Sequence, residues 1–341
     1  MTSDPILAVT LGDPVGIGPE ITARTFAAAA DEVPARGLAV GDPRALRRAV
    51  EVCGLDLKVR GVDSVADAQF EAGTVDVLDT HMLDEDLPWG VIDARAGRAA
   101  IAAIEIATRA AMEGEVAAVV TAPIHKEAIW AAGSKHLGHT EMLGELTGSD
   151  AHATMFVIED LKIFFTTRHM SLRKAIDALT RESVLAAIRS SWEALQVYGH
   201  DAPRLAVAAL NPHGGEGGNF GTEEIEHITP ACEDARAEGM PVVGPIPADS
   251  VFHQGLEGRF DGVLSHFHDQ GHIAAKTYDF ANTVSVTVGI PIVRTTVDHG
   301  TAFDIAGTGK ASADTMIAAY RAGAQFAPYA EAARATWGSR S

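Results

Sequence analysis

Fifty residues, 261–310, constrain this chain more than any others. They read DGVLSHFHDQGHIAAK, then, after a short link, TVSVTVGIPIVRTT, and then VDHGTAFDIAGTGK. Apolar, β-branched runs alternate with polar tips. The tips carry His266, His268, His272 and His299, the acids Asp269, Asp298 and Asp304, and the cations Lys276 and Arg294. A sheet that bears chemistry does so on the loops at its strand ends. A purely structural core has no need of so many titratable groups at its turns, so the pattern points to an enzyme.

The chain has 341 residues, more than one compact core usually holds, and two α/β lobes are expected. A hydrophobic content of 47% with 21% charged residues is that of an ordinary globular protein. The net charge is 27 − 46 = −19, without a basic cluster, which argues against nucleic acid or an anionic membrane as partner. Most of the acidity reads as solvated helix faces, for example Glu223, Glu224 and Glu226. Cys53 and Cys232 form no C-x-x-C pair and read as reduced, partly buried thiols. No basic leader with an apolar run and no stretch of about 20 apolar residues is present, so a cytoplasmic protein is expected.

Along the chain, Ile6–Thr10 reads as a strand that runs into LGDPVGIGPE. Strand, glycine turn and helix are the context of a dinucleotide fingerprint, but Ile21 stands where its third small residue belongs. The turn reads as part of an active site, and Glu20 suits the positive end of the helix that follows. Residues 38–40, 74–78, 116–120, 153–158, 162–167 and 205–210 read as further strands. Residues 94–113 form a helix with Ile101, Ile104, Thr108 and Met112 on one face, and 183–198 another with Trp192 in the core. Between them lie TAPIHK (121–126) and GHTE (138–141), two loops that can together bind an anion. After residue 210 comes NPHGGEGG, whose glycines allow a backbone to approach a ligand closely. The segment 222–239 and a tail beginning near Ser312 read as helices.

His169, His213 and His268 each stand just past an apolar strand, and such positions share one edge of an α/β sheet. Three neutral imidazoles around an open coordination position make a catalytic divalent-metal site. The alternative is that each is merely hydrogen-bonded at its strand end. With a cation present the chemistry is coherent: it eases ionisation of a substrate hydroxyl, favours hydride departure and stabilises enolate charge after decarboxylation. Lys276, Arg294 and the His139–Thr140 pair then suit a carboxylate or phosphate.

The blocks GDPVGIGPE, TAPIHK, GHTE, LNPHGGEGG, GPIPAD, HDQG and RTTVDHGTAFDIAG occur in this order over nearly the whole chain. In this the sequence resembles the 4-hydroxythreonine-4-phosphate dehydrogenase family. The resemblance implies a two-domain α/β fold like the isocitrate and isopropylmalate dehydrogenases, with an active-site cleft between the domains. Residues 1–140 with 300–341 would form one domain. Residues 141–299 would form the other, carrying the metal ligands and the dimer interface. A homodimer with shared active sites is implied, as is NAD-dependent oxidation of a β-hydroxy acid followed by loss of carbon dioxide.

Carried over by position, the family's metal ligands (for Zn, Mg, Co or Mn) fall on His169, His213 and His268. Its substrate contacts fall on His139, Thr140, Lys276 and Arg294. Ser285 stands where the family has an Asn, a shorter donor that puts the exact substrate in question. Lys276, Asp269 and Asp249 are the candidate catalytic groups. His299, Gly300, Thr301 and Asp304 resemble the adenosine-binding loop of isopropylmalate dehydrogenases. An acid such as Asp304 facing the ribose would favour NAD over NADP. The spellings HDQGHI and HGTAFDIAG also resemble the branch that acts on threonate or erythronate 4-phosphate, in which the C2 amine is a hydroxyl. Two other readings are a dehydrogenase for an unphosphorylated diol acid and a catalytically idle binding protein; the intact histidine set argues against the second.

Overall fold

The computed structural model describes residues 4–29, 33–150 and 152–338. The chain divides into two compact units, Met1–His152 with Val284–Ser341, and Ala153–Thr283.

The first unit opens with β1 (Ile6–Thr10), α1 (Gly18–Ala29), β2 (Arg36–Gly41), α2 (Pro43–Val52), β3 (Lys58–Val62) and β4 (Thr74–Asp79). It continues with α3 (Ala94–Glu113), β5 (Ala118–Thr121), α4 (Lys126–Ala131) and α5 (His139–Thr147). The second unit holds β6 (Ala153–Ile158), β7 (Leu161–Phe165), α6 (Leu172–Asp177), α7 (Arg181–Val197), β8 (Leu205–Ala208), α8 (Thr229–Ala237), β9 (Val243–Ile246), α9 (Ala248–Leu256), β10 (Gly262–Ser265) and α10 (His268–Tyr278). The chain then returns to the first unit with β11 (Val284–Val288), β12 (Arg294–Thr296), α11 (Asp314–Phe326) and α12 (Ala330–Trp337).

In the first unit the strands lie in the order β3-β4-β2-β1-β5-β12-β11, all parallel except the β11–β12 hairpin. In the second the order is β6-β7-β10-β8-β9, parallel except at β6–β7. The central strands ILAVT, AVVT, LAVA and GVLS are apolar runs without alternation because helices cover both faces of a parallel sheet. Helix ends follow local chemistry. Asp93 accepts from Arg95 N to start α3, Gly114 ends it at φ 78°, and Thr180 with Ser183 forms the capping box of α7. Leu38, Val40, Ile104, Ile129, Met142 and Leu143 share one core; Phe156, Ile163, Val251 and Val263 share the other.

The unit boundaries fall at 152/153 and 283/284, not at 140/141 and 299/300. Met142 and Leu143 of α5 pack into the first unit's core, and β12 pairs with β5, which draws both segments into that unit. Two local readings also change. Met112 lies on the exposed side of α3; its buried face is mostly alanine, including Ala99, Ala100, Ala103, Ala107 and Ala110. Glu224 is buried rather than solvated, and accepts the Leu210 and Asn211 amides at 2.8 and 2.7 Å. It ties down the loop that follows β8.

Asp13, in the turn after β1, is fully buried. Its Oδ1 accepts from Val15 N at 3.0 Å, and its Oδ2 is enclosed without a partner. Burial pushes its carboxyl up to about 6, against the backbone bond from Val15. An acid whose folded pKa lies above its unfolded value costs stability as it ionises. The cost is absent below the unfolded pKa and complete above the folded one. Asp13→Asn should therefore gain stability relative to the parent by on the order of 1 kcal/mol between pH 5 and pH 8. Urea unfolding at both pH values checks this; a difference independent of pH would contradict it.

Candidate active site

In the second unit β7, β10 and β8 are adjacent and parallel, so their C-terminal ends share one edge. His169 follows β7, His213 follows β8, and His268 opens α10 directly after β10. His268 is held from several sides. Its Nδ1 lies 2.7 Å from Asp269 Oδ1, and the His272 ring stacks on it at 3.6 Å and 12°. His272 Nδ1 in turn donates to the His268 carbonyl at 2.7 Å, and its ring packs edge-on against Phe156. With Nδ1 engaged by a carboxylate, His268 keeps Nε2 for a further partner, as metal-binding imidazoles do.

The His169 and His268 rings lie 6.1 Å apart, centroid to centroid, and line a cavity of about 270 Å³ with Arg168, Met170, Phe267 and Asp269. This pair fits a shared divalent cation. His213 is at φ 54°, the first of five left-handed residues through Gly217, a strained stretch that four neighbouring glycines make possible. Among the described residues no group of three or more His, Cys, Asp or Glu side chains closes on one point within the chain, so His213 is not brought to the other two there.

Of the candidate catalytic groups, Asp269 is engaged with His268, and Asp249 is exposed in the first turn of α9. Lys276 is half-buried on α10, its Nζ 5.3 Å from the centre of the Phe280 ring.

The first unit places a guanidinium inside its sheet. Arg294 on β12 is 4% exposed. Its Nε and Nη2 donate to Thr121 Oγ1 at 3.2 and 2.7 Å, and its Nη1 donates to Thr287 Oγ1 at 3.1 Å. Three of the five donors of the fork are thus used, and every acceptor is a neutral hydroxyl. Among the described residues no carboxylate lies within ion-pair distance of it. Burial works against its charge. Burial, and then the charge of Arg294, hold His139 well below the usual imidazole range, so it is neutral, and its Nε2 is enclosed without a partner. Thr140 follows it in the first turn of α5, half-buried, and Ser285 is half-buried on β11 opposite Thr296. A guanidinium, a neutral imidazole with a free nitrogen and several hydroxyls compose a site for an anion.

The loop 299–309 also lies in the first unit. His299 Nε2 pairs with Thr315 Oγ1 at 2.9 Å, Gly300 has open space around it, and Thr301 is buried, its carbonyl accepting from Ile17 N at 3.0 Å. Asp304 is exposed. Phe303 stacks on His125 at 4.4 Å, and a Cβ on Gly16 would lie 2.9 Å from Thr301 Cβ. The glycine turn after β1 is therefore the seat of this loop. Glu20 is fully buried and accepts from Gly307 N at 2.6 Å and Gly309 N at 2.9 Å. Its role is to clamp the loop more than to meet a helix dipole, and only the fold reveals this. The partners of Arg294, Thr121 and Thr287, were equally invisible as such, since the three residues stand on three different strands.

The profile of the family described as "Pyridoxal phosphate biosynthetic protein PdxA" matches residues 34–323. A Cutibacterium acnes protein provisionally named as a D-threonate 4-phosphate dehydrogenase is 54% identical over 331 residues, 96% of each chain. The structure is similar to that of 4-hydroxythreonine-4-phosphate dehydrogenase from Klebsiella pneumoniae, with a TM-score of 0.89 and 41% identity over 95% of this chain and 99% of that one. It is similar also to the Burkholderia phymatum enzyme of the same name, with a TM-score of 0.86 and 40% identity over 94% and 98%. This chain is an oxidoreductase acting on CH–OH groups, with the α/β fold shared by isocitrate and isopropylmalate dehydrogenases, and it belongs to the PdxA family.

Proposed function

We propose that the protein oxidises a four-carbon β-hydroxy acid 4-phosphate with NAD and a divalent cation, releasing carbon dioxide. The observation that carries the phosphate is Arg294, a buried cation whose partners are all neutral. A buried charge without a counter-charge is costly, and an arriving phosphate relieves that cost with two parallel hydrogen bonds. D-threonate 4-phosphate is the favoured substrate, because the 54% identical relative carries that name. Ser285 in place of an amide side chain agrees with a changed polar group on the substrate. 4-Hydroxythreonine 4-phosphate is the second reading, supported by the structural relatives. An unphosphorylated diol acid could meet Arg294 only with the carboxylate that the reaction releases as carbon dioxide.

His169, His213 and His268 would hold the cation, which supplies positive charge where the substrate oxygen ionises and where enolate charge collects. Two imidazoles hold such an ion poorly, so a homodimer with shared sites is part of this reading: a second copy completes the set. Asp269 orients His268. Lys276 and Asp249 are the groups proposed for proton transfer, and Lys276, as a cation, also for binding the substrate. Asp304, with His299, Gly300 and Thr301, would bind the adenosine of NAD on the loop that Glu20 clamps. No helix among the described residues is long and apolar enough to cross a membrane. A cytoplasmic enzyme that takes a small-molecule substrate, without nucleic acid or membrane partners, completes the proposal.

Three outcomes follow from these assignments. Arg294→Ala should lower kcat/KM on a phosphorylated substrate by on the order of a hundredfold and leave the slow rate on its dephospho analogue nearly unchanged. An equal loss on both would remove the phosphate from the reading. Asp304→Asn should raise KM for NAD by roughly tenfold to a hundredfold, with little effect on KM for substrate; an unaltered cofactor KM would show that the loop binds something else. His213→Ala should weaken cobalt(II) binding by on the order of a hundredfold, read by competition with a chelating dye. Undiminished binding would take His213 out of the metal set.

A further inference from the structure

His266 has no part in the chemistry above, yet it is the side chain on which the histidine-bearing edge converges. It is 1% exposed. Its Nε2 lies 2.6 Å from the Ala208 carbonyl at the end of β8, so this nitrogen carries the proton and donates. Nδ1 is then the acceptor, and Thr166 Oγ1, just past β7, donates to it at 3.2 Å. The backbone of His266 continues the pattern: its carbonyl accepts from Thr167 N at 3.2 Å and Thr167 Oγ1 at 2.8 Å. Its amide donates to Gln270 Oε1 at 2.7 Å, and Gln270 Nε2 donates to the Ala209 carbonyl at 2.8 Å. One residue thus joins the ends of β7, β8 and β10. His169 stands two residues after Thr167, His213 four after Ala209, and His268 two after His266 itself.

We propose that His266 is a positioning residue that sets the loop of His169 in register with His268 and fixes the base of the loop that carries His213. This rests on the metal reading above. The single-tautomer hydrogen bonds leave the imidazole no alternative pairing in the closed interior. A leucine of similar bulk would leave the buried Ala208 carbonyl without this donor and take from the half-buried Thr166 hydroxyl its acceptor. The strand-end loops would then be free to shift by the few tenths of an ångström to which coordination is sensitive. Glutamine places an N–H where Nε2 stands and preserves the Ala208 contact alone.

The test uses the metal-free full-length protein titrated with cobalt(II) alone, read by its visible d–d absorption. His266→Leu should weaken cobalt binding by on the order of tenfold and change the band shape, while His266→Gln stays within about threefold of the parent. NAD affinity, set in the other unit, should be unchanged in both. A His266→Leu protein that melts lower but binds cobalt with the parent's affinity and spectrum would overturn the proposal, since it shows a structural role only. His169→Ala serves as the control. If it weakens binding while His266→Leu does not, positioning alone fails; if it too binds as the parent does, the metal reading fails and the proposal with it. Should His266→Leu not fold, Thr166→Val, which removes only the bond to Nδ1, decides. A severalfold weakening supports the proposal, and parental binding refutes it.

Discussion

Parallel strand pairing is the constraint on which the rest depends. Neighbouring parallel strands must end on the same edge, and the residue after each strand is released from the ladder to point its side chain at whatever lies beyond. In the second unit this gathers the loops of His169, His213 and His268. In the first it gathers Thr121 at the end of β5 beside Arg294 of β12 and the 299–309 loop beyond it. Short apolar runs, buried on both faces, make those edges rigid enough to hold polar groups in place.

Electrostatics then separates the two sets of residues. Arg294 is kept without a carboxylate, and burial, then the Arg294 charge, depress the neighbouring His139, so that region offers a cation beside a neutral imidazole. At the edge of the second unit an acid is in contact instead: Asp269 takes the Nδ1 side of His268 and directs the opposite nitrogen outwards. On the proposed reading the first set attracts an anion and the second holds a cation. A phosphorylated hydroxy acid oxidised at a metal requires both. Burial strengthens the contacts of Arg294, which in water would be worth little, whereas the His268–Asp269 pair is exposed.

Much of this was legible in the sequence because its signals are local. β1, β6 and α3 appear at the expected bounds, and the histidines stand at strand ends. What was not legible depends on partners distant in the chain. Glu20 meets Gly307, Thr121 and Thr287 meet Arg294, and Glu224 meets Asn211 only once the sheet is assembled. The unit boundary shifted for the same reason, since the pairing of β12 with β5 outweighs sequence adjacency. Helix periodicity misled at Met112 because alanines, weak in any hydrophobic pattern, form the buried face of α3.

The central claim is that a phosphorylated four-carbon hydroxy acid is oxidised here at the expense of NAD. The most direct measurement follows absorbance at 340 nm with NAD and a divalent cation, and compares D-threonate 4-phosphate, 4-hydroxythreonine 4-phosphate and their dephospho analogues. The account predicts NADH formation with the phosphorylated acids, fastest with D-threonate 4-phosphate, and abolished by a chelator. Equal or greater turnover of the dephospho compounds, or turnover indifferent to the chelator, would contradict it.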